Sequence, residues 1–360
     1  FVFALGFLVF IWDLARPKGE AERAPRNPWK AGALEWLQEA RPESWGVRSI
    51  PQVSSRYPLW DDPEFVKNYD EGRFYLPDAE EGRREGLVTS VLDAEPEQVL
   101  RIAGPSVLPL LSAIALGGVF IFVTFHWWWL TGISAAAALA AILVWVWTGT
   151  AEHPEKETKP IGLGREAPLY VSGPKSTGWW AMFITMLGDL TAFLGLIFGL
   201  FFFLTVHERF PPPGLPVPGF EWPAAALGLT VVSWLATWGG RRANAAGHVG
   251  AFRALLALAL VAGIAAAAAL GAGPWLAGMD PTAHSWPAIV WTLVAWSAAH
   301  AAVGAIMQVF CLVASFAGRL TPRCDADIRN TEVFIHFHAF AAILTAVALA
   351  AFPEAAELKP

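Results

Sequence analysis

Long apolar runs, separated by polar stretches, organise this chain. A spanning helix needs about 20 apolar residues to cross about 30 Å of hydrocarbon. Seven runs meet or approach that length, at 105–125, 130–148, 178–206, 222–239, 249–272, 286–317 and 330–352. An eighth, Phe1 to Trp12, is too short to span at about 1.5 Å per residue and reads as the end of a helix. Between it and the first full run lie about 90 residues, 13–103, rich in proline and charge. That length exceeds ordinary loops, so the stretch reads as a tail or as a joint between two ancestral chains. Its portion Asp61 to Glu85 is strongly charged, and poor order is expected there. The pattern predicts an all-α integral membrane protein with seven transmembrane helices. No internal repeat is visible. The alanine runs Ala135–Ala141 and Ala265–Ala269 read as small-residue surfaces that let helices approach closely in lipid.

Composition strengthens the membrane reading. Charged residues make up 16% of the chain and hydrophobic residues 55%, with a mean hydropathy of +0.44. Soluble domains carry about 25% charged residues. The 19 Trp suit interfacial belts, where an amphipathic ring sits among headgroups. A net charge of −6 argues against a nucleic-acid partner. Cys311 and Cys324 form neither a disulfide framework nor a CxxC pair. Phe1 to Trp12 lacks the basic start and small-residue cleavage site of a signal peptide. The chain has no initiator Met, and truncation is the expectation.

Loop charge sets an orientation. With 13–103 on the cytoplasmic side, the loops of that side hold Lys156, Lys159, Arg165, Lys175, Arg241, Arg242, Arg319, Arg323 and Arg329. The other side holds only Arg209 and Lys359. The positive-inside rule favours this arrangement, which leaves the C-terminus periplasmic in a bacterial inner membrane.

Asp189 is the sharpest chemical candidate, near the middle of the 178–206 run. An acid at that depth costs roughly 2.5–3.5 kcal/mol, so it should face protein or water and have a partner. Counting along the helices places His300 and His338 at similar depth, with His336 on the same span as His338. A polar cluster of Asp189, His300, His336 and His338 is therefore expected. The alternative is a hydrogen-bonded structural acid, or one protonated by desolvation. His336 and His338 point in different directions on one helix, which disfavours a haem site and favours helix–helix hydrogen bonds. His126 with Trp127 to Trp129 marks a tight interfacial turn, and His207 to Arg209 a solvated loop. Cys311 reads as packing, and Cys324 as a loop thiol of low reactivity.

Two resemblances add to this. NPWKAGALEW (Asn27 to Trp36) and IPQVSSRYPLWDD (Ile50 to Asp62) lie in order and close together behind the opening apolar segment. This wording resembles the extramembrane C-terminal tail of subunit I of the haem–copper cytochrome c oxidases, over about 35 residues. It implies that residues 1–14 end the last helix of that subunit, with the catalytic part upstream, and that 15–103 is a cytoplasmic tail and linker. Next, TGWWAMFITMLGDLTAFLGLIFGLFFF (Thr177 to Phe203) is similar to the third helix of subunit III, where WWGM precedes an acid by seven residues. Here Met182 precedes Asp189; the usual Glu is Asp, and the Gly of WWGM is Ala181. Ala299-His300 with Gly304 resembles that family's penultimate helix, and Ile335-His336-Phe337 stands where it has Trp-His-Phe. The second resemblance runs from about 104 to 352, within a subunit III-like membrane domain expected over 104–360, and seven is also the family's number of spans.

Together they imply a natural fusion of subunits I and III. The complex would reduce O2 to water with electrons from cytochrome c and pump protons. Haem A and copper would sit in the missing part and in subunit II, which carries the dinuclear copper centre. This portion would bind no redox cofactor; it would support stability, hold phospholipid in a cleft beside a V-shaped first helix pair, and sustain proton uptake. His153-Pro154-Glu155 matches the start of the His-Pro-Glu-Val-Tyr run of the oxidase copper site, but Lys156-Glu157 replaces Val-Tyr and no imidazoles converge there. A quinol oxidase of the same superfamily remains open, since the donor is chosen by subunit II. A secondary transporter predicts inverted repeats and interrupted helices, and a structural scaffold would differ only in its partners.

Overall fold

The computed structural model describes residues 2–16, 27–37, 51–71, 73–74, 84–93, 95–102, 106–149, 156–162, 164–207 and 209–357. They fall into two compact units, one formed by the chain up to 150 with 156–169, the other by the chain from 170.

In the first unit, α1 (Val2–Ala15) is a helix of 14 residues, apolar but for Asp13, with no buried side chain. The two motif runs behind it fold against each other. Trp60 Nε1 donates to the Lys30 carbonyl at 2.8 Å, and the Leu59 amide donates to the Gly32 carbonyl at 3.0 Å. The indole lies so close over Gly32 that a Cβ there would stand 2.5 Å from it. Asn27 clips its own turn through Ala31, in both directions, at 2.8 and 2.9 Å. Two short helices follow, α2 (Pro58–Asp61) and α3 (Phe65–Asp70), with Phe65 and Tyr69 buried.

Of the stretch Asp61 to Glu85, where poor order is expected, residues 72 and 75–83 lie outside the described residues. Its ends are a helix and the first residues of a strand. β1 (Arg84–Thr89) pairs antiparallel with β2 (Pro96–Ile102), and β3 (Thr158–Gly162) with β4 (Arg165–Pro168). Val99, Ala167 and Leu169 are buried among Leu87 and Ile161, so the two hairpins share one small core. Glu85 is buried beside it, with Lys159 Nζ at 2.5 Å and Arg101 Nε at 3.5 Å. A buried carboxylate is tolerable because two cations face it. The chain is thus mostly helical, with two hairpins that an all-α reading lacks.

Still in the first unit, α4 (Leu108–Thr124) and α5 (Trp128–Gly149) form a helical hairpin. His126, at φ 59°, makes the turn between them. Gly118 faces Ser134, whose Oγ would lie 2.7 Å from an added Cβ, so the hairpin closes on its small residues. Within the pair only Ser112 and Ala138 are buried, and most other side chains are exposed.

The second unit packs α6 (Thr177–Val206), α7 (Glu221–Ala245), α8 (Val249–Leu276), α9 (Ser285–Phe316) and α10 (Ala326–Glu357). α10 is the most buried and touches α6, α7 and α9. The core gathers Phe193 and Leu200 of α6, Trp286, Val290 and Leu293 of α9, and Leu349 of α10. Ser176 caps α6 by accepting from the Trp179 amide at 3.2 Å, and His284 Nδ1 caps α9 by accepting from the Trp286 amide at 3.1 Å. Gly318, at φ 72°, ends α9 in a conformation that side chains disfavour.

All seven apolar runs are helices. Five are long and apolar enough to cross a membrane: α5, α6, α8, α9 and α10. α4 has 17 residues, about 25 Å of rise, and is shorter than the core of a bilayer. α7 is long enough but places Thr230, Ser233, Thr237 and Asn244 inward. Those residues tie the bundle: Ser233 Oγ donates to the Ala259 carbonyl at 2.8 Å, and Gln308 Nε2 donates to Thr237 Oγ1 at 3.1 Å. The chain is a multi-pass membrane protein by its apolar helices.

One end of this bundle is basic. Arg241 pairs with Glu332 at 2.7 Å, Arg242 lies 3.8 Å over the Trp238 ring, and Arg253 donates to the Ser315 carbonyl and hydroxyl at the end of α9. Asn244 Nδ2 donates to the Thr321 carbonyl, and Arg329 Nε to Asp325 at 2.7 Å. Tyr170 Oη accepts from the Ala326 amide at 2.8 Å, capping α10 from outside.

Candidate functional site

Asp189 occupies α6 about one turn before its deepest aromatic, Phe193. Across from it, α9 presents His300, and Nε2 of that ring lies 2.6 Å from Asp189 Oδ2. The other ring nitrogen, Nδ1, lies 2.8 Å from the carbonyl of Trp296, one turn back on the same helix. A carbonyl can only accept, so Nδ1 carries a proton. The remaining contact then has two forms: a carboxylic acid donating to a neutral imidazole, or a carboxylate accepting from an imidazolium. Either form holds one shared proton and is neutral overall. A neutral pair meets the demand that an acid at this depth carries with it.

Aromatic rings hold the imidazole in place. His300 stacks on Trp296 at 4.7 Å and on Phe334 at 6.1 Å, with Phe337 edge-on at 5.6 Å. Gly304, one turn further along α9, lets α10 approach, because a Cβ there would lie 2.9 Å from Ile335 Cδ1. Both side chains of the pair stay partly accessible, so the site sits at the edge of the bundle and not in its centre.

Of the other expected members, His338 stands near enough to His300 for the two rings to interact electrostatically, without a direct hydrogen bond. His336 lies on a different face of α10, exposed, with Nδ1 2.6 Å from the Glu332 carbonyl and its ring edge-on to Trp234. His338 is buried, and its Nδ1 has no hydrogen-bond partner among the described residues. Two residues of helix separate these rings by about 200°, so they cannot share one partner. The direct hydrogen bond of the expected set is therefore the one between Asp189 and His300.

Sequence reasoning missed the aromatic sleeve around His300. Trp296 stands at i−4 from it, a spacing that could have signalled stacking on one helix face. His153 lies outside the described residues. Among the described residues, no group of three or more His, Cys, Asp or Glu is placed to hold a metal ion. Cys311 is buried with Sγ 3.3 Å from Thr331 Oγ1. Cys324, in the loop before α10, is buried too, and that burial pushes its thiol upward and away from the reactive thiolate. Neither known protein-family models nor curated proteins give a match to this chain.

Proposed function

We propose that this chain is the C-terminal part of a subunit I/III fusion of a haem–copper cytochrome c oxidase. Its helices α4–α10 would form the seven-span subunit III body in a bacterial inner membrane. The observation that carries the reading is the Asp189–His300 contact at 2.6 Å, which joins α6 and α9 through two positions that the subunit III resemblance singles out. A second support is the fold of the tail, where the two runs that resemble subunit I meet through Trp60, Lys30 and Gly32.

On this reading the redox centres, haem A and copper, lie outside these 360 residues, and electrons enter through subunit II. The body works as a stabiliser of the oxidase core, a holder of phospholipid and a support for proton uptake. The neutral Asp189–His300 pair suits such a supporting role, since it can redistribute its shared proton without placing net charge in hydrocarbon.

The test is purification from native membranes through an affinity tag on this chain. A complex with haem A absorption, a partner subunit with dinuclear copper, and oxygen consumption driven by reduced cytochrome c is the expected result. Oxygen consumption driven only by quinol would transfer the reading to the quinol oxidases. Recovery of the chain with neither haem nor a copper-bearing partner would overturn it.

A further inference from the structure

At the end of the second unit away from its basic residues, two histidines stand at opposite kinds of helix terminus. His207 follows α6 as its C-cap, and His284 precedes α9 as its N-cap. Both approach one buried ring, that of Phe210: His207 stacks on it at 5.7 Å, and His284 lies tilted at 6.4 Å. We propose that this end is a pH-sensitive clasp, in which neutral His284 fastens the first turn of α9 to the loop between α6 and α7 and protonation releases it. The proposal uses neither the oxidase reading nor Asp189.

The cap dictates the neutral form. His284 Nδ1 accepts from the Trp286 amide at 3.1 Å, and the Ser285 hydroxyl lies 3.4 Å from the same nitrogen. A ring nitrogen that accepts carries no proton, so the imidazole is neutral with its hydrogen on Nε2. Protonation would place a hydrogen on Nδ1, opposite an amide that can only donate. It would also set a positive charge at the N-terminus of a 32-residue helix, where the free amides already make the field positive. Imidazole is the side chain whose charge ordinarily changes between pH 5 and 8. Serine or asparagine would cap the helix here without that response.

The residue whose amide is capped is also the fastener. Trp286 is fully buried; its Nε1 donates to the Pro216 carbonyl at 3.1 Å, and its ring meets the Phe210 ring edge-on at 5.7 Å. Phe210 and Pro216 both belong to the α6–α7 loop, so α9 holds that loop at two points. His207 answers acid in the opposite sense. It lies at a helix C-terminus, where positive charge is favoured, and stacks on the faces of Phe203 and Phe210, which attract a cation. Acid therefore loosens α9 from the loop while Phe210 stays with α6. The next loop, between α8 and α9, is held differently: Trp291 Nε1 donates to the Met279 carbonyl at 2.8 Å, and neither group titrates. Three other charged groups occupy this end. Asp280 stands four residues before His284 with its carboxylate engaged by Thr282, Glu221 opens α7, and Arg209 lies exposed in the α6–α7 loop. The side chains of Glu208 and of α10 beyond Ala351 lie outside the described ones.

The experiment is hydrogen–deuterium exchange on the full chain in nanodiscs at pH 7.5 and pH 5, expressed as protection factors so that the intrinsic pH dependence of exchange cancels. Peptides carrying the Trp286 amide and residues 210–217 should lose protection about tenfold at pH 5, the effect of a lost cap and a charge of the wrong sign. Peptides around Trp291 should keep theirs. His284→Asn and His284→Ser retain a cap that does not titrate, so their protection at Trp286 should be equal at the two pH values. His284→Ala should show the low protection at both, and His207→Gln should leave the acid response at Trp286 in place. Equal protection of the parent at both pH values would overturn the proposal. So would an acid response that persists in His284→Asn and His284→Ser, or one that disappears in His207→Gln.

Discussion

At the scale of single residues, two contacts invite measurement. Asp189 and His300 enter the apolar bundle together as a neutral unit. Replacing His300 with Leu strands the acid, and the cost should approach the roughly 2.5–3.5 kcal/mol of a lone charge at this depth. Asp189→Asn removes the charge and leaves an amide that can still meet the ring, so it should cost no more than about 0.6–1.7 kcal/mol. The double variant Asp189→Asn/His300→Leu should be less destabilised than the sum of the singles, because the stranded acid is gone. Unfolding in mixed micelles reads all three; strict additivity would show that the two residues do not interact. Tyr170 is the second case, and it lies outside the spans. Burial raises its phenol well above the ordinary value of about 10, more than its hydrogen bond to Ala326 lowers it. A raised pKa means the folded state holds its proton more tightly. That stability is therefore fully present below about pH 10 and is lost as the pH climbs above it. Tyr170→Phe should cost about 1 kcal/mol at neutral pH through the lost cap, and its alkaline unfolding profile should fall less steeply than the parent's. Parallel profiles above pH 10 would contradict this.

At the scale of elements, the packing of α9 on α10 turns on Gly304. A methyl group there would stand 2.9 Å from Ile335 Cδ1 and 3.4 Å from the Phe334 ring. Ile335 is buried, but its terminal carbon can turn, so Gly304→Ala should cost near the lower end of the 1–3 kcal/mol typical of overpacking. Gly304→Val adds branches that cannot turn away and should cost more, with the loss visible in the unfolding midpoint. Equal stability of all three forms would mean that the helices part freely. These elements also show how much the sequence discloses. Every helix of the bundle is visible as an apolar run, yet the ends are not. A run-based reading closes α7 at 239, before Arg241 and Arg242, whereas the helix continues to Ala245 because those side chains find Glu332 and the Trp238 ring. Likewise α10 begins at Ala326, four residues before its apolar run, since Tyr170 caps it from elsewhere in the chain. The hairpins escaped because their small core is assembled from strands about 70 residues apart, and no single strand carries enough apolar residues to stand out. Asp189 could be found as a lone acid in a span, but depth alone could not choose among three histidines; the rotation of α9 and α10 made the choice.

At the scale of the whole molecule, the distribution of charge is the property with the widest consequence. The end of the second unit that gathers Arg241, Arg242, Arg253 and Arg329 is held together by side-chain contacts, so its basic character belongs to the folded bundle and not to the loops alone. The other end presents Asp280, whose carboxylate accepts from the Thr282 hydroxyl and amide and is thereby held below the ordinary range. That end is acidic or neutral at physiological pH. Basic ends of membrane bundles remain in the cytoplasm because the charge asymmetry of short loops directs insertion. The native cysteines supply a quiet background, since Cys311 and Cys324 are both buried. Single cysteines placed at Thr282 and at Arg319 would then report the two ends separately. In intact cells whose outer membrane admits the reagent, a membrane-impermeant maleimide should label Thr282→Cys. It should leave Arg319→Cys unlabelled until the inner membrane is opened. The reverse pattern would place the basic end outside. The expected pattern sets Arg241 against the cytoplasmic leaflet, where anionic lipid is drawn to basic surfaces. It also sets Asp189 a few ångströms to the cytoplasmic side of the middle of α6, the side from which a proton-supporting role would draw its protons.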